Sequence, residues 1–240
     1  MNTETAIPSK RPLYKMFNEV PRRYDFMNRL LTWYFDEKWR KKTARICTEK
    51  PGRILDLCTG TGDLAIHVAK KVNGESKITG LDFSVPMLEV AQRKALRKSL
   101  DKIRFMEGDV AKLPFKDACF DTIGTAFAFR NLTFRNPLSE QYLSEISRVI
   151  KKGGRFIIVE TSQPENKSFQ KIFHYYLKNM VGKIGGVISG HQHAYHYLAF
   201  SAINFYNPSE VKELLLSHGF SQVEHERLMY GISAIYVATK

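Results

Sequence analysis

The sequence predicts an α/β fold built around a mostly parallel sheet, and three observations carry that expectation. From residue 53 onward, short apolar runs alternate with amphipathic stretches, the rhythm of parallel strands joined by crossover helices. The first run, Arg53 to Cys58, leads into a glycine-rich turn that opens a helix. A later one, Phe156 to Glu160, reads as an unbroken apolar run, as a central strand buried on both faces requires.

Residues 1–52 read as an N-terminal helical extension of a single domain spanning 1–240. Arg53 to Cys58 is the first strand, and a helix from Asp63 to Val72 follows its turn. Lys77 to Asp82 is the second strand. Its helix, Val85 to Leu100, is entered through Ser84-Val85-Pro86: Ser84 suits the N-cap and Pro86 the first turn. Ile103 to Glu107 and Thr122 to Ala126 are the third and fourth strands. Within Pro137 to Ile150, apolar residues recur at helical spacing, and Lys151-Lys152-Gly153-Gly154 stops that helix. The rhythm breaks from 162 to 206, an aromatic-rich and partly helical insertion on the substrate side, and long insertions commonly carry function. After Asn207-Pro208, a helix runs from Ser209 to His218. Strands near Gln222–Leu228 and Ile232–Ala238 bring the total to seven.

Hydrophobic residues make up 43% of the 240, enough for a large core, and no apolar run approaches the roughly 20 residues that span a bilayer. Met1 to Arg11 is polar and lacks the apolar centre of a secretory signal, so a cytosolic protein is expected. The formal net charge of +13 favours polyanions or an anionic leaflet. Basic residues gather at Lys38-Trp39-Arg40-Lys41-Lys42, at Arg93-Lys94 with Arg97-Lys98, and at Lys151-Lys152, and each cluster also reads as a solvated helix face. Cys47, Cys58 and Cys119 match no metal or redox spacing and read as small apolar fillers.

The main chemical signal is Ile54-Leu55-Asp56-Leu57-Cys58-Thr59-Gly60-Thr61-Gly62-Asp63-Leu64. Gly60 and Gly62 allow a sharp turn and close approach of a ligand, and the helix start behind them offers free amides. Asp56 reads as holding the shape of the turn as well as facing the ligand. With Ala65 the turn also fits the Gly-x-Gly-x-x-Ala of a dinucleotide-binding dehydrogenase, and Asp82 at the end of the second strand suits ribose hydroxyls in either case. Later features separate the two. Gly108-Asp109-Val110-Ala111-Lys112-Leu113-Pro114-Phe115 after the third strand, and Arg148 to Arg155 before the fifth, resemble class I methyltransferases. That resemblance implies a Rossmann-like, seven-stranded, mostly parallel sheet with an antiparallel last strand, S-adenosylmethionine as methyl donor, and an acidic contact to adenine at Asp109.

Three further elements narrow the match: Tyr24-Asp25-Phe26-Met27-Asn28, Ala126-Phe127-Ala128-Phe129-Arg130-Asn131-Leu132-Thr133, and Tyr195-His196-Tyr197-Leu198-Ala199. With these the chain resembles the ubiquinone and menaquinone biosynthesis C-methyltransferases from about Phe17 to its end. The resemblance implies S-adenosylmethionine contacts at Thr61, Asp82, Asp109 and Val110, and places Arg130 and Asn131 beside a polyprenyl quinol such as demethylmenaquinol. The chain departs from the family where Tyr195-His196-Tyr197-Leu198 replaces Tyr-Arg-Tyr-Leu, at Gly190-His191, and at Ala126, where Ser or Gly is usual.

Methylation of a quinol carbon asks the protein to align carbon, methyl and sulfur and to stabilise a phenolate. Arg130 is the candidate for that oxyanion, with a structural ion pair as its other reading. Asn131 is read as holding the ring. Tyr24 and Asp25 are read as closing the site, with Asp25 either a base or a cap. His191, His193 and His196 match no firm zinc pattern, so no metal is expected, and His196 reads as a base, a substrate contact or an ordinary histidine. Phe169 to Val187 interleaves aromatics with Lys171, Lys178 and Lys183, which suits a membrane interface, a lid or plain core packing. The expected partners are the quinol and an anionic membrane surface on the inner face of the cytoplasmic membrane, with a homodimer allowed and no nucleic acid. The alternatives are an RNA methyltransferase, a methyltransferase acting on another small molecule, and a catalytically silent membrane-surface protein.

Overall fold

The computed structural model of the chain describes residues 29–72, 76–185 and 192–240. Its strands are β1 (Arg53–Leu57), β2 (Lys77–Asp82), β3 (Ile103–Glu107), β4 (Phe120–Ala126), β5 (Ile150–Thr161), β6 (Gln222–Leu228) and β7 (Ser233–Thr239). They form one seven-stranded sheet in the order β3-β2-β1-β4-β5-β7-β6. Neighbours among β1 to β5 pair in parallel, and β7 runs antiparallel to both β5 and β6. The expected sheet, including its antiparallel last strand, is the observed one.

The helices are α1 (Phe35–Cys47), α2 (Asp63–Ala69), α3 (Val85–Leu96), α4 (Phe129–Thr133), α5 (Ser139–Val149), α6 (Lys167–Tyr176), α7 (Gln192–Ile203) and α8 (Pro208–Ser217), with a π-helical segment over Leu177–Gly185. Strand alternation divides the core into two layers. Leu55, Phe156 and Ile158 face the layer built with α5 and α8, whereas Ile54, Ile157 and Val159 face the layer of α1 and α2. Burying each of these side chains contributes on the order of 2 kcal/mol.

The Ser84 cap follows the sequence. Ser84 accepts the Met87 amide at the start of α3, and Asn207 with Glu210 forms a capping box on α8. Among the boundaries that differ, two have a visible cause. Helix α3 ends at Leu96 because Ser99 turns left-handed, with φ of 54°. Strand β5 begins at Ile150, so Lys151 to Gly154, read as a helix stop, lies within an irregular start of the strand.

Helix α1 sits close against the sheet. A Cβ at Gly124 would lie 3.0 Å from the Cys47 sulfur, so glycine there lets the helix approach β4. At its far end Arg155 donates to Glu49 at 2.8 Å and to the Ile46 carbonyl at 2.9 Å. This seating brings the buried Arg40 to the carboxyl ends of the strands.

Candidate active site

Strand order reverses between β1 and β4, the switch point at which open α/β sheets bind ligands. A cavity of about 660 Å³ lies there, a size usual for small-molecule sites. Residues that follow three strands line it: Cys58 to Thr61 after β1, Asp82 and Phe83 at β2, and Asp109 with Val110 after β3.

The turn after β1 is held by two carboxylates. Asp56 Oδ2 accepts the Thr59 hydroxyl at 2.5 Å and the Ala65 amide at 2.9 Å. Burial pushes its carboxyl up to about 7, and the nearby Asp82 adds to that rise. Asp82 Oδ2 accepts the Gly60 amide at 2.8 Å, and its Oδ1 accepts the Ser84 amide at 2.9 Å. Burial also raises Asp82, against the pull of those amides. Thr61 receives a hydrogen bond from Lys94 at 3.2 Å, and Lys94 pairs with Asp63. Asp109 holds its own turn by accepting the Ala111 amide at 2.9 Å.

The two glycines differ. Gly60 (φ 53°) has nothing within 4 Å of the position a Cβ would take, so its surface is open to a ligand. Gly62 (φ 82°) is not among the residues lining the cavity. A Cβ there would lie 2.8 Å from that of Ala91, so this glycine is required by packing against α3. Cys58, expected as a filler, has φ of 56° and lines the cavity.

A second cavity, about 300 Å³, adjoins the first. Arg40, Phe127 and Asn131 line both, so they form the shared wall. Helix α7 stands between the cavities: Tyr197 and Phe200 face the first, Tyr195, Leu198 and Ala202 the second. Arg40, read as part of a solvated basic run, is buried, paired with Asp36, with its guanidinium 4.8 Å from the Phe127 ring centre.

Arg130 faces the second cavity and not the first. Its Nε lies 3.6 Å from Glu160 Oε1, an ion pair too long for a hydrogen bond, and its Nη1 donates to the Ser201 hydroxyl of α7. Glu160 also accepts the amides of Arg130 at 3.0 Å and Thr161 at 2.8 Å. Asn131 Oδ1 is buried with no hydrogen-bond partner among the described residues.

Tyr24, Asp25, His191 and the His193 side chain lie outside the described residues. His196 is exposed and lines neither cavity, so the reading of it as a base or substrate contact finds no support. Among the described residues, no group of three His, Cys, Asp or Glu is arranged to hold a metal, and no helix is long and apolar enough to cross a membrane. No role in the site was read from the sequence for Arg40, Glu160, Tyr197 or Ser201. Glu160, a carboxylate closing an apolar strand, was the one with a visible signal.

The switch-point cavity, the paired carboxylates and the sheet order define a class I S-adenosylmethionine-dependent methyltransferase. Solved structures share the fold: a SAM-dependent methyltransferase from Aquifex aeolicus has a TM-score of 0.58 at 20% identity, covering 83% of this chain and 88% of that one. A Haemonchus contortus phosphoethanolamine N-methyltransferase in complex with S-adenosylhomocysteine has a TM-score of 0.56 at 15% identity, covering 80% of this chain and 49% of that one. Residues 5–240 match the ubiE/COQ5 methyltransferase family, and the chain belongs to it. Demethylmenaquinone methyltransferase of Thermus thermophilus is 40% identical over 94% of this chain and 100% of its own length. That of Thermotoga maritima is 38% identical over 95% of this chain and 96% of its own. The ubiquinone/menaquinone biosynthesis C-methyltransferase UbiE of Geotalea daltonii is 36% identical, with 95% and 96% covered.

Proposed function

We propose that the protein methylates a ring carbon of a polyprenylated quinol, turning demethylmenaquinol into menaquinol, with a ubiquinol precursor as the related acceptor. The observation that carries this is the wall shared by the two cavities. One cavity ends in buried carboxylates suited to sugar hydroxyls. The other is mostly apolar, suits a hydrocarbon-bearing ring, and adjoins the first at Asn131. The named relatives support this acceptor over RNA, for which the net charge alone speaks.

The first cavity fits S-adenosylmethionine, because Gly60 leaves the loop surface open and Asp82 offers a carboxylate at a strand end. Asp56, Gly60, Thr61, Asp82, Asp109 and Val110 would hold it, and Gly62 would act by keeping the loop against α3. When bound, that cofactor supplies a methyl group on a sulfonium.

The chain's own residues then have three tasks. Arg130, fixed in direction by Glu160 and Ser201, donates towards the ring oxygen as an aimed donor whose charge is balanced by Glu160. Asn131, with an unpartnered buried oxygen, accepts from a ring hydroxyl and orients the ring. The apolar walls exclude water, which strengthens both interactions. Tyr24 and Asp25 belong to the same proposal, closing the site, with Asp25 the candidate to take the proton. Action on the inner face of the cytoplasmic membrane, as a peripheral protein, belongs to it as well, and sedimentation tests the homodimer.

The test is incubation with labelled S-adenosylmethionine, reduced demethylmenaquinol in detergent, and bulk RNA as competing acceptor. Label is expected in the quinol and is lost in Arg130→Ala and Asn131→Leu. Label in RNA alone overturns the reading.

A further inference from the structure

Two turns beside the second cavity hold backbone strain that methyl transfer does not explain. Trp33 and Tyr34 have φ of 52° and 61°, and Met229 and Tyr230 have φ of 45° and 56°. The left-handed region is costly for large side chains, and such conformations persist where the surroundings enforce them, commonly at functional surfaces. Here they accompany four apolar side chains turned outward: Trp33 is 75% exposed, Tyr34 58%, Met229 40% and Tyr230 84%.

The turns share one rim, since Trp33 and Met229 both line the second cavity. Helix α6 completes it. Its Tyr176 hydroxyl donates to the Leu31 carbonyl at 2.5 Å, and Phe169 packs edge-on against Tyr230 with ring centres 5.6 Å apart. No residue of α6 is buried, and Ile172 and Tyr175 face solvent at 65% and 71% exposure. Lys171 is exposed on α6, Lys178 on the π-helical segment that follows it, and Lys38 on α1 four residues after Tyr34, in a chain of net charge +13. Soluble proteins seldom display so many large apolar groups around one opening without a partner for them.

We infer that this rim, formed by Trp33-Tyr34, Met229-Tyr230 and the outer face of α6, is a lipid-docking surface that seats the mouth of the second cavity in the headgroup layer of an anionic bilayer. Aromatic side chains favour that layer, and the lysines complement its charge. The inference rests on the quinol reading for its purpose: a substrate with a long apolar tail stays in the membrane, so the cavity must be brought to it.

The chain offers a clean probe. It has two tryptophans, and Trp39 is buried, so a change of polarity at the surface is reported by Trp33. The purified full chain is mixed with phosphatidylcholine vesicles, with vesicles that also contain phosphatidylglycerol, with the latter carrying brominated tails, and with bulk RNA. The expected result is a blue shift and bromine quenching with anionic vesicles, both absent in Trp33→Phe. Flotation should show about tenfold weaker vesicle binding for Tyr175→Ser/Tyr230→Ser. Neither tyrosine lines a cavity, so detergent-based quinol methylation by that variant should be unchanged. Wild-type quenching needs no variant and stands if the double variant misfolds.

Any of four results overturns the inference: a Trp33 emission already blue in buffer, which means protein covers it; a shift with RNA in place of vesicles; vesicle binding that the tyrosine substitutions leave intact; or self-association through this face that excludes vesicles. No vesicle arm contains quinol. Docking without quinol methylation therefore keeps the surface and overturns the substrate, and methylation in detergent without docking does the reverse.

Discussion

Asp56→Asn isolates one buried charge at the cofactor loop. Burial pushes the folded-state carboxyl up to about 7, against a usual value of 3.8. Between those values the folded chain keeps a proton that the unfolded chain has lost. The resulting stability is fully present below the unfolded value and disappears as pH rises through about 7. The whole shift amounts to roughly 4 kcal/mol, and the portion lost from about pH 6 to about pH 8.5 is about 1 kcal/mol. For a chain of this size that is a fall in Tm of roughly 2–4 °C. The Thr59 hydroxyl and the Ala65 amide both converge on Oδ2, so an asparagine oxygen in that place keeps both bonds while removing the ionisation. Thermal unfolding without cofactor, measured for both proteins across that range, cancels the other titrating groups in the difference. The wild type should lose about 1 kcal/mol relative to the variant as pH rises. Parallel curves would mean that Asp56 titrates at an ordinary carboxyl value, and the account of the loop as a partly protonated support would be wrong.

Other substitutions separate roles within the site. Gly62→Ala meets both a left-handed φ and the Ala91 side chain at 2.8 Å, so thermal unfolding should show a loss of about 2–3 kcal/mol. Gly60→Ala meets no atom within 4 Å and should instead weaken S-adenosylmethionine binding in calorimetry by about tenfold, with a stability cost nearer 1 kcal/mol. In Asp82→Asn the amide nitrogen must face either the Gly60 or the Ser84 amide, so cofactor affinity should fall by about ten- to a hundredfold in the same titration. Glu160→Gln leaves the buried Arg130 charge unpaired and should cost about 3 kcal/mol in urea unfolding, with quinol methylation lost alongside.

What was legible in the sequence was whatever depends on neighbours along the chain. The strand alternation, the Ser84 cap and the glycine loop are local, and each lies where its pattern put it. Arg40 was hidden because a basic run reads as a solvated face until a partner far along the chain, Phe127, stacks on one of its members. Glu160 stands out as a carboxylate closing an apolar run, but its purpose is visible only when Arg130, 30 residues earlier, is brought beside it. The strained Trp33-Tyr34 and Met229-Tyr230 turns contain no glycine or asparagine at the strained positions to announce a left-handed backbone. The two cavities, too, are products of tertiary packing. Helix α7 carries little periodicity because it has two apolar jobs, and such a helix looks featureless in sequence.

The wall between the cavities shows why distant segments must be assembled at the switch point. Phe127 leaves the end of β4 with φ of 61° while its amide stays bonded to the Val159 carbonyl at 2.8 Å. A non-glycine residue there costs on the order of 1–3 kcal/mol, and that cost is borne where β4 must stop pairing and turn its side chain into the divide. Arg40 lies over the ring from α1, and Trp39 packs 6.2 Å from it. Asn131 follows on α4 and borders both spaces. An extended exit at Phe127 would swing the ring away from Arg40 and merge the cavities. The strain is therefore the local cost of keeping an apolar chamber beside, and distinct from, a carboxylate-lined one, with two polar side chains, Arg40 and Asn131, bordering both.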